Sequence, residues 1–285
     1  MSFLVPSPAD RLSPDIADYP EGIVLPVDKP YRWTSADVIR KLKYAAVRHF
    51  GKKKLKVGHA GTLDPLATGV LLVCIGAACR QAQRLQDHDK EYIARIRFGA
   101  TTPSYDLEKE ADRFFPYAQI DEAAVRAALP AFVGEQEQVA PLFSAKSIDG
   151  VRAYELARKL YRSGQGERLD SAALESLQRN RIRIDAAELC SFTPAGQAPA
   201  SPEAAASAEK ASARIHVADT ASLGLPEAEV RIVCSKGTYI RAFARDLGEA
   251  LDSGAHLAGL IRSRSGDFRR EDALSVEEAL ALLSR

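Results

Sequence analysis

Gly58-His59-Ala60-Gly61-Thr62-Leu63-Asp64-Pro65-Leu66-Ala67-Thr68-Gly69 runs straight into the apolar stretch Val70-Leu71-Leu72-Val73-Cys74-Ile75. Three glycines and a proline in this stretch speak against regular structure and predict a shaped loop over 58–69. The apolar residues that follow read as a buried strand that holds the loop from behind. Inside the loop stands one acid, Asp64, and Pro65 biases it towards an extended backbone. A carboxylate presented this way suits a nucleophile or a general base. It equally suits an Asp-Pro turn that only punctuates the chain.

Upstream, residues 1–21 are rich in proline and aspartate without periodicity and read as a loose extension. Residues 22–27 read as a strand that ends in Asp28-Lys29-Pro30. Thr34-Ser35 caps a helix over 36–50, with Val38, Ile39, Leu42, Ala45 and Ala46 on one face. Downstream, 77–85 reads as a helix, 90–98 as an alternating strand, and Asp121 caps a helix to about Leu129. Residues 179–192 alternate as a strand, and Ala-, Ser-, Pro- and Glu-rich 194–213 reads as a disordered loop. Residues 214–217 and 229–234 are expected to pair as strands. Ser235-Lys236-Gly237-Thr238 then ends a strand and caps a helix to about Leu251, and a final helix starts at Ser275. Periodicity alone gives a mixed α/β protein.

The 285 residues suffice for one large domain or two small ones, and 46% hydrophobic with 27% charged residues is an ordinary globular balance. No stretch approaches the roughly 20 apolar residues of a membrane span, and the N-terminus has no apolar signal core, so a cytoplasmic location is expected. Four cysteines lack a C-x-x-C pair, and neither a disulfide nor a zinc site is expected. Net charge is +1, but eight Lys or Arg and no acid lie between Arg40 and Lys56, including Lys52-Lys53-Lys54. Arg262, Arg264, Arg269 and Arg270 form a second cluster. Such clusters are either surfaces that track phosphates or solvated faces.

GHAGTLDPLATG resembles the signature G-H-x-G-x-L-D-P-x-A-x-G of the TruB family of tRNA pseudouridine synthases, with every fixed position present. Further segments resemble the family in order: the Asp28-Lys29-Pro30 turn, Lys90-Glu91-Tyr92, Pro141 to Gly150, Ser235 to Arg241, and Gly254 to Arg262. Residues 101–106 depart from its form T-D-T-x-D-x-x-G, since Pro103 replaces the first aspartate and Lys109 the glycine; no role is carried over to Asp106. Residues 161–177 and 194–213 read as insertions. The resemblance covers 22–285 as a single catalytic domain and implies an α+β pseudouridine synthase fold. That fold is a large mixed, mostly antiparallel sheet flanked by helices, with an RNA-binding cleft. Many relatives continue into an RNA-binding PUA domain, which is expected to be absent here.

What the resemblance implies is isomerisation of uridine 55 in the T-loop of tRNA to pseudouridine. Asp64 is the implied nucleophile, Tyr239 a proton acceptor, and Arg241 the cation that orients Asp64. Tyr92 and Leu260 would sandwich a flipped base, with His59 against the displaced loop nucleotides, Lys29 at the site floor and Arg262 on the substrate. Lys52, Lys53, Lys54 and Arg264 are the candidates for RNA-backbone contacts. No cofactor, metal, membrane, protein or guide-RNA partner is implied, and the expected state is a monomer on the T-arm of tRNA. Three rival readings are a non-catalytic RNA-folding protein, a guide-RNA-directed relative and a metal-dependent hydrolase. The first does not need Asp64, Tyr239 and Arg241, the second calls for extensions, and the third for a further ligand beside His59 and Asp64.

Overall fold

A computed structural model describes residues 3–141, 147–148, 151–152, 179–197 and 215–284. In chain order its elements are β1 (Ile23–Lys29), α1 (Ser35–His49), β2 (Val57–Ala60), β3 (Ala67–Ile75), α2 (Ala82–Asp87), β4 (Lys90–Phe98), β5 (Ala100–Thr101) and β6 (Arg113–Phe114). These are followed by α3 (Glu122–Ala128), β7 (Gly134–Val139), β8 (Ser147–Ile148), β9 (Val151–Arg152), β10 (Arg179–Thr193), β11 (Glu227–Cys234), α4 (Ile240–Ala250), β12 (Ala255–Ser265), β13 (Phe268–Arg269) and α5 (Val276–Leu282).

Nine of the strands form one sheet in the order β1-β3-β12-β4-β11-β10-β7, with β2 paired to β3 and β13 to β12. β12 runs parallel to β3, whereas β1 on β3, β2 on β3, β10 on β11 and β7, and β13 on β12 are antiparallel. The expected mixed, mostly antiparallel sheet is therefore present. The chain divides into two compact units, one holding residues up to Ile93, Ile215 and Gly259 onwards, the other Ala94 to residue 197 and His216–Ala258.

In the first unit β3 is the central strand. All nine of its residues are buried, because Val70, Leu72 and Cys74 pack on Val24, Ala60, Ala78 and Leu85 while α1 covers β2 and β3. Burying each Val or Leu side chain of this kind stabilises the fold by about 1.5–3 kcal/mol. β1 runs along one edge of β3, from Gly69 to Ile75. The other edge is shared: β12 pairs with Ala67–Gly69 and β2 with Leu72–Ile75. α1 starts with a capping box in which Thr34 accepts from the Asp37 amide and Asp37 from the Thr34 amide.

Four expectations change. The loop over 58–69 shrinks to residues 61–66, because Gly58-His59-Ala60 joins β2 and Ala67-Thr68-Gly69 joins β3. Glycine tolerates the strand here because Gly69, at φ +99, lets the Arg262 backbone approach. Residues 3–21 are not loose. Leu12 is buried, Phe3 stacks on Phe268, Tyr19 packs edge-on to Phe50, and the Leu4 amide donates to Gly22 O. Single anchors of this sort leave no periodic signature. The expected helix over 77–85 is a 3-10 turn, Gly76–Gln81, followed by α2.

In the second unit β11 pairs with β10, not with 214–217. The long β10 offers β11 eight paired positions, while 215–217 form no strand. The expectations for the insertion 161–177, for most of 194–213 and for most of the Pro141 to Gly150 segment lie outside the described residues. His256 is wholly buried and structural: its Nδ1 lies 2.8 Å from Ala100 O, which can only accept. Nδ1 therefore carries the proton and Nε2 accepts from the Thr220 hydroxyl at 3.0 Å. Burial first, and then the Arg97 charge, push this ring down to about 4, so it stays neutral.

A Cβ at Gly69 would lie 2.2 Å from Arg262 O, at a φ of +99. At Gly51 it would meet nothing within 4 Å, at φ +60. Gly69→Ala should therefore cost about 3 kcal/mol or more in urea unfolding and Gly51→Ala about 1 kcal/mol. Equal costs at the two positions would contradict this packing.

Candidate active site

In the first unit the loop 61–66 emerges where the outer edge of β3 changes partner, between β12 and β2. A buried carbonyl at such a gap needs a donor, and Arg262 on β12 supplies it: Nε donates to Val70 O at 2.7 Å. The same guanidinium donates to Gly61 O at 3.1 Å and Thr62 O at 3.4 Å. Ser35, the first residue of α1, grips Leu63 at both ends, its hydroxyl donating to Leu63 O at 3.0 Å and accepting from Leu63 N at 2.9 Å. Lys29 Nζ donates to Pro65 O at 3.2 Å and also to Pro30 O and Trp33 O. Asp28 Oδ1 accepts from Gly69 N at 3.0 Å. Asp64 thus sits half-buried on a backbone held on either side by buried side chains from β1, α1 and β12.

Lys29 and Arg262 are both almost fully buried. Burial pulls the Lys29 ammonium down to about 7 against the favourable charge of Asp64. His59, on β2 opposite Val73, is pushed down by burial and then by the Arg262 charge, so a neutral ring is favoured. Its Nδ1 is buried without a hydrogen-bond partner among the described residues. Leu260 is the β12 partner of Ala67, three residues beyond Asp64, and Tyr92 is a buried ring on β4.

Arg262 is thereby a brace of the loop and not a surface cation: it is 1% exposed and donates to three carbonyls. Arg270 pairs with Asp28 at 3.0 Å, Arg269 with Glu271, and Arg264 donates to Gly266 O. Lys52, Lys53 and Lys54 are exposed.

In the second unit Tyr239 is the N-cap residue of α4 and Arg241 lies in its first turn. The Ser235–Thr238 turn precedes the helix without capping it, since α4 has no side-chain cap from Tyr239 and Thr238 Oγ1 donates back to Ser235 O. Arg241 is 6% exposed and Asp106 5%. The guanidinium donates to Ser104 O at 3.2 Å and its Nε lies 3.7 Å from Asp106 Oδ2. Asp106 also accepts from Ser104 Oγ at 2.6 Å and from Glu108 N at 2.9 Å. Asp106, left without a role by the altered motif, is thus the buried counter-charge of Arg241. The signal for it was chemical: a motif arginine at the start of a buried helix needs an acid. In the sequence Ser35 reads only as part of a cap.

Lys29 supplies a test of this geometry. Between about pH 7 and 10.5 the folded chain has released the Lys29 proton while the unfolded chain still holds it. Stability from this group therefore rises with pH across that window. Asp64 favours the charged form, so the stability advantage of wild type over Asp64→Asn should shrink as pH rises through 7. In a Lys29→Met background that pH dependence should vanish. Urea unfolding from about pH 6 to 9 measures both, and a difference that does not move with pH would contradict the charge coupling between Lys29 and Asp64.

Comparison with known proteins gives the family and the fold. A sequence profile described as "TruB family pseudouridylate synthase (N terminal domain)" matches residues 48–191. Proteins named tRNA pseudouridine synthase B are 47% identical over 260 residues in Phocaeicola vulgatus, covering 91% of this chain and 92% of that protein. In Bacteroides thetaiotaomicron the identity is 46% over 262 residues, covering 91% and 92%. Among solved structures, a Cbf5-Nop10-Gar1 complex matches with a TM-score of 0.59 at 21% identity, over 98% of this chain and 58% of that one. An H/ACA RNP bound to a substrate RNA containing 2′-deoxyuridine matches with a TM-score of 0.55 at 20% identity, over 98% and 62%. Those two likenesses show a shared fold. The profile and the close relatives show more: the chain belongs to the TruB family of pseudouridylate synthases.

Proposed function

We propose that the chain converts uridine 55 in the T-loop of tRNA to pseudouridine, with Asp64 as the nucleophile. What carries the reading is the held loop. Asp64 is presented, half-buried, on a backbone fixed by Ser35, Lys29 and Arg262, inside a motif whose fixed positions are all present. Relatives named for tRNA pseudouridine synthesis span nine tenths of the chain.

The isomerisation breaks the N1–C1′ bond, turns the uracil and joins C5 to C1′. C5 loses a proton and N1 gains one, so atoms and electrons balance without a co-substrate. The chain must then supply a nucleophile, a proton acceptor and a dry holder for the loosened base. Asp64 serves as the first and Tyr239 as the second. Tyr92 and Leu260 offer flat apolar surface to the base, and a neutral His59 offers its ring to displaced nucleotides. Arg241 enters as the cation that orients the nucleophile. The flipped-out target costs a few kcal/mol of lost stacking, which contacts from the exposed Lys52, Lys53, Lys54 and from Arg264 to phosphates offset. The enzyme acts alone on the T-arm, as a monomer in the cytoplasm. Among the described residues no helix is long and apolar enough to cross a membrane.

Purified wild type and Asp64→Ala should be incubated with unmodified T-arm RNA, which is then digested and analysed for pseudouridine. Product from wild type alone is expected. Product from both proteins would remove Asp64 from the nucleophile's role, and product from neither would remove the activity.

A further inference from the structure

α4 begins at a residue that cannot cap itself. Tyr239 sits at the N-cap in an extended conformation, φ −98 and ψ 111, and its side chain makes no cap hydrogen bond. The backbone groups of that residue are instead held from β7. Gln138, 3% exposed, accepts from Tyr239 N through Oε1 at 2.8 Å and donates through Nε2 to Tyr239 O at 3.1 Å. The same Tyr239 carbonyl receives Phe243 N at 3.0 Å as the first bond of the helix. Two bonds on opposite sides of one residue restrain both its backbone torsions, and with them the direction in which its side chain leaves the backbone. At neutral pH a primary amide offers an acceptor and a donor in this spacing where an ionised carboxylate only accepts, and Asn would fall one methylene short. Next along β7, Val139 O accepts from Arg245 at 3.1 Å. β7 therefore stays tied to α4 without the Gln138 amide.

We propose that Gln138 is a positioning residue for Tyr239: its side-chain amide clamps the Tyr239 backbone and so aims the phenol that the isomerisation uses. This rests on the reading of Tyr239 as a group that serves the reaction. An aromatic ring aimed by a loose backbone misses by an ångström or so, which is enough to cost about a hundred-fold in rate.

Three variants test it: Gln138→Leu, Gln138→Glu, and Glu137→Gln at the exposed neighbour as control. The readouts are the single-turnover rate at saturating T-arm RNA, RNA affinity, and hydrogen exchange of the Tyr239 amide by NMR. Gln138→Leu should lose roughly ten- to hundred-fold in rate, keep its RNA affinity within about three-fold, and lose protection at the Tyr239 amide. In Gln138→Glu the ionised carboxylate accepts from Tyr239 N but repels Tyr239 O, whereas the protonated acid donates to it. The rate of Gln138→Glu relative to wild type should therefore rise as pH falls from about 8 to 5.5. A Gln138→Leu protein with wild-type rate, or a Gln138→Glu ratio flat with pH, overturns the proposal. Should Gln138→Leu fail to fold, the Gln138→Glu ratio decides alone. Should wild type itself form no pseudouridine, the proposed function fails, and the exchange data judge the clamp: retained protection in Gln138→Leu overturns it, and lost protection upholds it.

Discussion

The outer edge of β3 is left unpaired for two residues, between the end of the β12 ladder at Gly69 and the start of the β2 ladder at Leu72. The gap is where a loop can leave the sheet, and it is also where a buried carbonyl would go unsatisfied. One guanidinium answers both needs. By taking Val70 O together with Gly61 O and Thr62 O, Arg262 closes the gap and ties down the near side of the loop. The close approach this requires leaves no room for a Cβ at residue 69, which explains a glycine within a buried strand. Ser35 and Lys29 then hold Leu63 and Pro65, and Asp64 lies between them with little freedom left to its backbone.

The chemistry of the loop follows from burying three polar side chains beside one acid. Each is satisfied by backbone groups of the loop or its neighbours, so burial is affordable, and the loop is rigid because of it. The Lys29 ammonium loses hydration and gains only part of it back from Asp64, which brings its titration towards neutrality. In the second unit the same logic recurs on a smaller scale: Arg241 and Asp106 are buried together with Ser104, and Gln138 holds Tyr239.

Much of this was legible in the sequence, and unevenly. Helix α1, its Thr34 cap, β4 and the long β10 follow from periodicity and capping chemistry that act within a few residues. The family was legible through the motif. What the sequence hid depends on contacts between distant segments. Nothing local distinguishes Arg262, a buried brace, from Arg269, an exposed cation, because both lie in one basic run. The loop was overestimated because glycine in a strand is favoured only when another backbone crowds it, as at Gly69. The altered positions Pro103 and Lys109 count against Asp106 in the sequence, although its own partner, Arg241, stands in a motif.

The measurement that goes most directly to the loop brace is the single-turnover rate and RNA affinity of Arg262→Lys. Lysine keeps the charge that a phosphate contact would need, but it cannot reproduce three donor directions to three carbonyls. The expected result is a rate loss of about a hundred-fold with RNA affinity and its salt dependence unchanged. A rate that survives the substitution, or an affinity that falls with it, would contradict the role of Arg262 as the brace on which the Asp64 loop depends.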